Sequence, residues 1–285
     1  MKRREALSTM ALASGASIIN SKEQDSLIKK PISKRINHSV CQWCYGRTPL
    51  EELVDRVKDI GIQSIELLGP DQWDTVLSRD VEVAIGYGTS IGLDRGFNDI
   101  SLHGQLQSDY KKAIPEIAKR GIKQVICFSG NRNGLSDEQG LENCAVGLEP
   151  VVKMAKEYGI TVIMELLNSK VDHKDYKCDR TNWGVALANK IGSEHFKLLY
   201  DIYHMQVMEG DVIATIREYK DYINHFHTGG VPGRNEINES QELYYPAIMK
   251  AIADLEFEGY VAQEFIPTRK DPFISLAEGI TICDI

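Results

Sequence analysis

No apolar run in these 285 residues approaches the length of a membrane span, which excludes a bilayer-crossing chain on this reading. Basic residues are outnumbered, 33 Lys and Arg against 41 Asp and Glu, giving a formal charge of −8. Such a surface repels a phosphate backbone, so nucleic acid is excluded as a partner. Histidines number seven, too few for a barrel nuclease with several metal ions. The six cysteines, Cys41, Cys44, Cys127, Cys144, Cys178 and Cys283, form no paired framework. Cys41 and Cys44 make a single C-x-x-C within NHSVCQWCYG, which reads as a strand; ordinary buried or strand-end thiols are expected there. No phosphate cradle is visible. GYGTSIG, Gly86 to Gly92, has the wrong glycine spacing and no preceding βαβ context, so it reads as a loop. No flexible linker divides the chain, and one domain is expected.

The first thirty residues differ from the rest. Lys2, Arg3 and Arg4 precede a mildly apolar stretch of small residues, ALSTMALASGASII, and then a polar segment. That is the layout of an export signal of the twin-arginine type, and it predicts an exported, periplasmic protein. The alternative is a frayed N-terminus on a cytoplasmic protein. These thirty residues hold six Lys/Arg against three Asp/Glu, so the charge falls to −11 without them. Residues 31–285 are the expected folded domain, the usual size of one eight-stranded barrel.

Short β-rich runs alternate with amphipathic stretches along that domain, the signature of α/β architecture with a parallel sheet. The expected strands are HSVCQWC, SIELLG, VAIGYG, QVICFSG, TVIMELL, KLLYDIY, NHFHTGG and YVAQEF. Between them, LEELVDRVKDIG, SDYKKAIPEIAKRG, AVGLEPVVKMAKEYG and YPAIMKAIADLEFEG carry apolar residues at helical spacing. Each ends in glycine, at Gly61, Gly121, Gly159 and Gly259, which predicts a helix stop before each strand. The third unit leaves its strand open to either end of VAIGYGTSIGLDRGFNDISLHG. The whole pattern predicts a single (β/α)8 TIM barrel.

Four polar residues stand near the C-terminal ends of successive apolar runs: Glu165, Asp201, His227 and Glu264. Their separations, 36, 26 and 37 residues, are about one strand-plus-helix unit each, so a parallel barrel brings all four to one edge. Three carboxylates and an imidazole repel at close range unless a cation lies between them. Salt bridges on a barrel rim are the alternative for each residue taken singly. Asp201 and His204 are three apart, so the strand must bend for both to face the site. His225 and His227 are two apart and share a face, and His227 is preferred as the ligand.

The stretch Gly159 to Pro267 resembles the xylose isomerase-like barrels, in particular their hydroxypyruvate isomerase and tagatose 3-epimerase branches. HFHTGG is similar to the epimerase branch, while VPGRNE and LYYPAIMKAIADLEFEGYVAQEF are similar to the isomerase branch. The N-terminal half matches more loosely, through HSVCQWCY, SIELLGP and the segment around His103. The resemblance implies Glu165, Asp201, His227 and Glu264 as metal ligands, with Glu165 and Glu264 also carrying protons. It implies substrate contacts from His204 and Arg234, and His103 and Trp43 are further candidates for substrate binding. Two departures stand out: His227 occupies a position that tends to be Gln in the isomerase branch, and Val171 to Asp179 do not reproduce the epimerase branch's acidic substrate contact. Trp43, Trp73 and Phe97 are further candidates for an apolar wall beside a sugar ring.

The expected reaction is proton transfer on the carbon beside a carbonyl, through an enediolate, in a free sugar or small hydroxy-keto acid. Oxygen-rich ligands with one imidazole favour Mn, Co or Mg, with Zn allowed. Barrels of this kind often associate, so a homo-oligomer is also expected. The rival readings are a keto-glycoside lyase or hydratase on the same metal and an exported sugar-binding protein without catalysis.

Overall fold

Short apolar runs bounded by glycine and polar turns become eight parallel strands: β1 (Asn37–Cys41), β2 (Ser64–Glu66), β3 (Ile85–Tyr87), β4 (Gln124–Cys127), β5 (Thr161–Glu165), β6 (Phe196–Asp201), β7 (Ile223–Thr228) and β8 (Tyr260–Gln263). The computed structural model describes residues 32, 33 and 35–285; the expected export signal lies outside the described residues. Hydrogen-bonded neighbours follow the order β2-β1-β8-β7-β6-β5-β4-β3. The ring closes between β2 and β3 through two parallel bridges, Ser64 with Glu82 and Leu68 with Gly86. The result is the expected (β/α)8 barrel. The third strand takes the front end of its ambiguous segment, and the glycine-rich stretch after it is a loop.

Nine helices among the described residues surround this ring: α1 (Leu50–Ile60), α2 (Trp73–Leu77), α3 (His103–Lys119), α4 (Asp137–Glu157), α5 (Thr181–Ile191), α6 (Ile202–Met208), α7 (Val212–Glu218), α8 (Tyr245–Ala253) and α9 (Pro272–Cys283). α1 shows why they form. Leu53, Val54, Val57 and Ile60 recur at three- and four-residue spacing and are all buried, while Glu51 and Glu52 sit in the first turn, facing the positive end of the helix dipole. It stops at Gly61, whose φ of 92° is left-handed and free of strain only for glycine. Gly121 and Gly159 do the same. Gly259 does not. α8 ends at Ala253, and Glu256 makes the left-handed turn instead. Phe257 is the reason: its ring packs edge-on against Phe226 of β7, 4.8 Å between centroids, a tertiary contact that outweighs the helical spacing of the segment.

The core has two layers. Cys41, Ile85, Ile126, Ile163, Leu199 and Ala262 pack together inside the barrel, and a larger layer lies between strands and helices. Because side chains alternate along a strand, an interior Ile163 sets Glu165 inward, an interior Leu199 sets Asp201 inward, and Ala262 does the same for Glu264. The positions that hold the floor of the barrel thus aim the polar residues above it. Among the described residues no helix is long and apolar enough to cross a membrane.

His38, the second residue of β1, is fully buried, and neither ring nitrogen has a hydrogen-bond partner. Burial pushes its pKa down to about 4, with only Asp284 at 3.9 Å opposing. The folded value lies below the unfolded one, so the unfolded chain binds the extra proton and stability is lost as pH falls from 6.5 towards 4. A shift of this size corresponds to about 3 kcal/mol. Urea unfolding at neutral pH and at pH near 4.5 is expected to show that loss in the wild type and a smaller one in His38→Leu; equal losses in both would remove the assignment.

Candidate active site

β5, β6 and β7 end at one level, where Glu165 pairs in register with Leu199 and Asp201 with His227. Glu264 follows β8 directly, its N–H donating to Thr228 O at 3.2 Å. One ligand-type atom from each of Glu165, Asp201, His227 and Glu264 lies within 4.8 Å of all the others, and all four residues are buried. His227 Nδ1 stands 3.1 Å from Glu165 Oε1 and 2.9 Å from Glu264 Oε2. Both glutamates thus meet the same ring nitrogen.

Asp201 reaches this cluster by a route other than a bent strand. β6 ends at Asp201 and α6 begins at the next residue, so Asp201 is the N-cap, its Oδ1 accepting the His204 N–H at 3.0 Å. One helical turn then places His204 on the same side, with Nε2 3.7 Å from Asp201 Oδ2. Both of these atoms are buried without a hydrogen-bond partner. His204 Nδ1 accepts from the Asn168 side-chain amide at 2.6 Å, so its proton sits on Nε2 and points into the site. Burial, helped by the Arg234 charge, holds this imidazole well below its usual pKa and therefore neutral.

Arg234 has a φ of 58°, which turns its side chain back over the cluster. The guanidinium donates to Glu264 Oε2 at 2.5 Å and lies 3.6 Å from Asp201 Oδ2. It is held between two rings, 5.1 Å from the Trp43 centroid and 5.5 Å from that of Tyr203. Trp43 Nε1 donates to the other Glu264 oxygen at 2.8 Å. The two glutamates consequently differ. Burial, with Glu264 beside it, raises Glu165 above the usual carboxylate range. Burial works to raise Glu264 too, but Arg234 and His227 outweigh it and hold it well below.

His103 is not brought here. Its Nε2 donates to Phe97 O at 2.8 Å, and the ring fills the space where a Cβ on Gly147 would stand, 2.6 Å away. It joins α3 to α4, because only glycine on α4 leaves room for the ring. Phe97 is likewise core, fully buried against Tyr110 at 5.6 Å. Trp73 is buried with its Nε1 on Leu68 O, and lines a cavity of about 700 Å³ on the β3 side together with Tyr87 and Phe128.

Three neighbours went unread in the sequence. Glu66, at the end of β2, is fully buried with Oε1 2.8 Å from His227 Nε2 and 3.0 Å from His225 Nε2. Burial opposes its ionisation, but His225 and His227 bring its pKa down to about 2. Asp172 accepts from Asn168 and from the Tyr203 hydroxyl, each at 2.7 Å, and so places a carboxylate beside His204. Asp172, within the stretch Val171 to Asp179, thus stands 4.0 Å from His204 Nδ1. Cys41 Sγ lies 3.7 Å from His227 Nε2, its thiol pushed far up in pKa by burial. The position of Glu66 at a strand's C-terminal end was the available signal; its sequence distance from the quartet concealed it.

The donor set fits a divalent cation. Three carboxylates and an imidazole offer oxygen and nitrogen ligands at one point, and the unpartnered, fully buried Asp201 Oδ2 is an acceptor with no protein donor to meet it.

A model of the xylose isomerase-like TIM barrel family matches residues 54–278, most of the chain. The chain belongs to this family. The 2-oxo-tetronate isomerase of Cupriavidus necator is 32% identical to this chain over 127 residues, 45% of this chain and 46% of that protein. The hydroxypyruvate isomerase of Escherichia coli is 29% identical over 148 residues, 52% of this chain and 57% of that one. The chain spans about half the length of the curated relatives it matches. The crystal structure of 3-keto-D-glucoside 4-epimerase from E. coli superposes with a TM-score of 0.73, covering 86% of this chain and 98% of that one at 16% identity. A likeness at that identity shows the shared barrel.

Proposed function

We propose that this protein is a divalent-metal-dependent isomerase or epimerase that moves a proton on the carbon beside a carbonyl in a sugar or small hydroxy-keto acid. The observation that carries this reading is the pair Glu165 and Glu264, two buried carboxylates that meet the same His227 nitrogen at 3.1 and 2.9 Å, with Asp201 alongside. The names of the isomerase relatives agree with it. Glu165, Asp201, His227 and Glu264 would hold the metal, for which Mn, Co or Mg suits the oxygen-rich set. Such an ion, when bound, supplies Lewis-acid polarisation of the substrate's oxygens.

The remaining work falls to this chain's side chains. Glu165, the more proton-retaining of the pair, and Glu264 exchange the substrate proton through carboxylate oxygens on opposite faces. If one glutamate serves two adjacent carbons, the outcome is isomerisation; if the two serve opposite faces of one carbon, it is epimerisation. His204 Nε2–H donates to the developing negative oxygen, and Arg234 holds Glu264 ionised and fixed. Trp43 forms the apolar wall over the site and, being 39% exposed, its outer edge. The N-terminal thirty residues make an exported enzyme part of this proposal.

Incubation with candidate ketoses and hydroxy-keto acids in deuterated water with Mn²⁺ tests the reaction. Deuterium is expected at the carbon beside the carbonyl, lost with EDTA and restored by Mn²⁺. Release of an aglycone from a keto-glycoside would replace the isomerase by a lyase, and absence of exchange on every substrate would favour a binding protein. Asp201→Ala is expected to weaken Mn²⁺ binding at least ~100-fold, the upper end of what losing an outer-shell partner costs. Calorimetric titration checks it; unchanged affinity would move the metal elsewhere.

A further inference from the structure

We infer that Glu66 is a positioning residue for His227, deciding which ring nitrogen faces the quartet; this rests on the metal-site reading above. Glu66 Oε1 is 2.8 Å from His227 Nε2, on the side of the ring away from Glu165 and Glu264. Those two glutamates face Nδ1 instead. A neutral imidazole carries one proton, and the nitrogen that carries it cannot bind a cation. Without a cation, Nδ1 at 3.1 and 2.9 Å from two carboxylate oxygens carries a proton as well; with a cation in the quartet, donation of Nε2–H to Glu66 would leave the Nδ1 lone pair free to bind it. The opposite tautomer would press a nitrogen lone pair against a fully buried carboxylate oxygen and leave it only the weak Cys41 thiol donor at 3.8 Å.

The other groups near Nε2 do not replace Glu66. Cys41 Sγ is 3.7 Å away and a weak acceptor. His225 Nε2 approaches Glu66 Oε1 at 3.0 Å without hydrogen-bond alignment, so it does not take the place of the His227 donor. β1 and β2 are paired in register, Cys41 beside Glu66, which fixes the height of the carboxylate under the ring. A carboxylate behind a ligating imidazole sets its tautomer and orientation, and loss of such a partner typically weakens metal binding ~10–100-fold. The distance in sequence is large, 161 residues, so only the closed barrel makes the pair.

Titration of Mn²⁺ into wild type, Glu66→Gln and Glu66→Leu by calorimetry tests this. Glu66→Leu is expected to raise Kd ~10–100-fold. Glu66→Gln, whose amide oxygen still accepts Nε2–H, is expected to recover part of the loss. At saturating Mn²⁺, kcat should fall less than the metal requirement rises, a split that general loss of folding would not give. Should the Leu variant fail to fold, ¹⁵N resonances of the histidine rings in Zn²⁺-loaded wild type decide: a protonated Nε2 on His227 supports the assignment, a protonated Nδ1 overturns it. Wild-type affinity in Glu66→Leu overturns this inference alone. No Mn²⁺ or Zn²⁺ binding by the wild type overturns the metal reading, and this inference with it.

Discussion

Glu165→Gln is expected to lower kcat by about 10³-fold, inside the 10²–10⁴ range that a positioned acid or base contributes. Glutamine keeps the size of the side chain and one oxygen for a cation, but it neither accepts nor delivers the substrate proton. Glu264→Gln should cost as much, with a second effect, because Arg234 at 2.5 Å then loses the charge it balances. The double variant should be little worse than the poorer single one, since the two glutamates act on one proton path and their effects do not add. Steady-state kinetics together with deuterium exchange read this out. Either single variant retaining more than about a hundredth of wild-type kcat would remove its glutamate from the proton path, given a lower bound of 10² for such groups.

Arg234→Met is expected to lower thermal stability in EDTA by roughly 6–20 °C. The guanidinium is 13% exposed and lies against Glu264 and Asp201, which are 3% and 0% exposed. Removing one partner of a buried pair leaves its charge uncompensated, at a cost of about 3–5 kcal/mol, and each kcal/mol moves Tm by about 2–4 °C in a chain of this size class. Methionine retains an unbranched stem between the rings of Trp43 and Tyr203, so the loss reports the charge more than the packing. Glu264 is held well below the usual carboxylate range mainly against its own burial by Arg234, so the folded state gains from its ionisation at higher pH and loses that gain as pH falls. The deficit of the variant should therefore shrink in acid, and it should shrink again with Mn²⁺, which would replace the missing positive charge. Differential scanning calorimetry with and without Mn²⁺ measures both; a Tm in EDTA within about 2 °C of wild type would show that Arg234 is not the main counter-charge.

The order and type of the elements were legible because they depend on local signals. Period-two runs such as TVIMELL, apolar spacing such as that of Leu53, Val54, Val57 and Ile60, and the stops at Gly61, Gly121 and Gly159 each act within a few residues. The reading missed where a distant contact overrode the local one. Phe257 on Phe226 ended α8 early, and His103 went into the α3–α4 contact because Gly147, 44 positions away in the chain, leaves space for its ring. Asp201 and His204 appeared to need a bent strand; an N-cap and one helical turn bring them together, and the spacing of three residues alone did not distinguish the two.

The sequence by itself determined the barrel, the strand ends that carry Glu165, Asp201, His227 and Glu264, and the acidic net charge, since periodicity, spacing and charge are properties of the chain alone. Only the tertiary structure decided which atoms meet. Barrel closure places Glu66 under His227, turns Arg234 onto Glu264 between two aromatic rings, and leaves Asp201 Oδ2 buried without a donor. Those relations join residues from 30 to 191 positions apart. Their strengths depend on distances of a few tenths of an ångström and on the absence of water, and neither quantity exists until the ring of strands is closed.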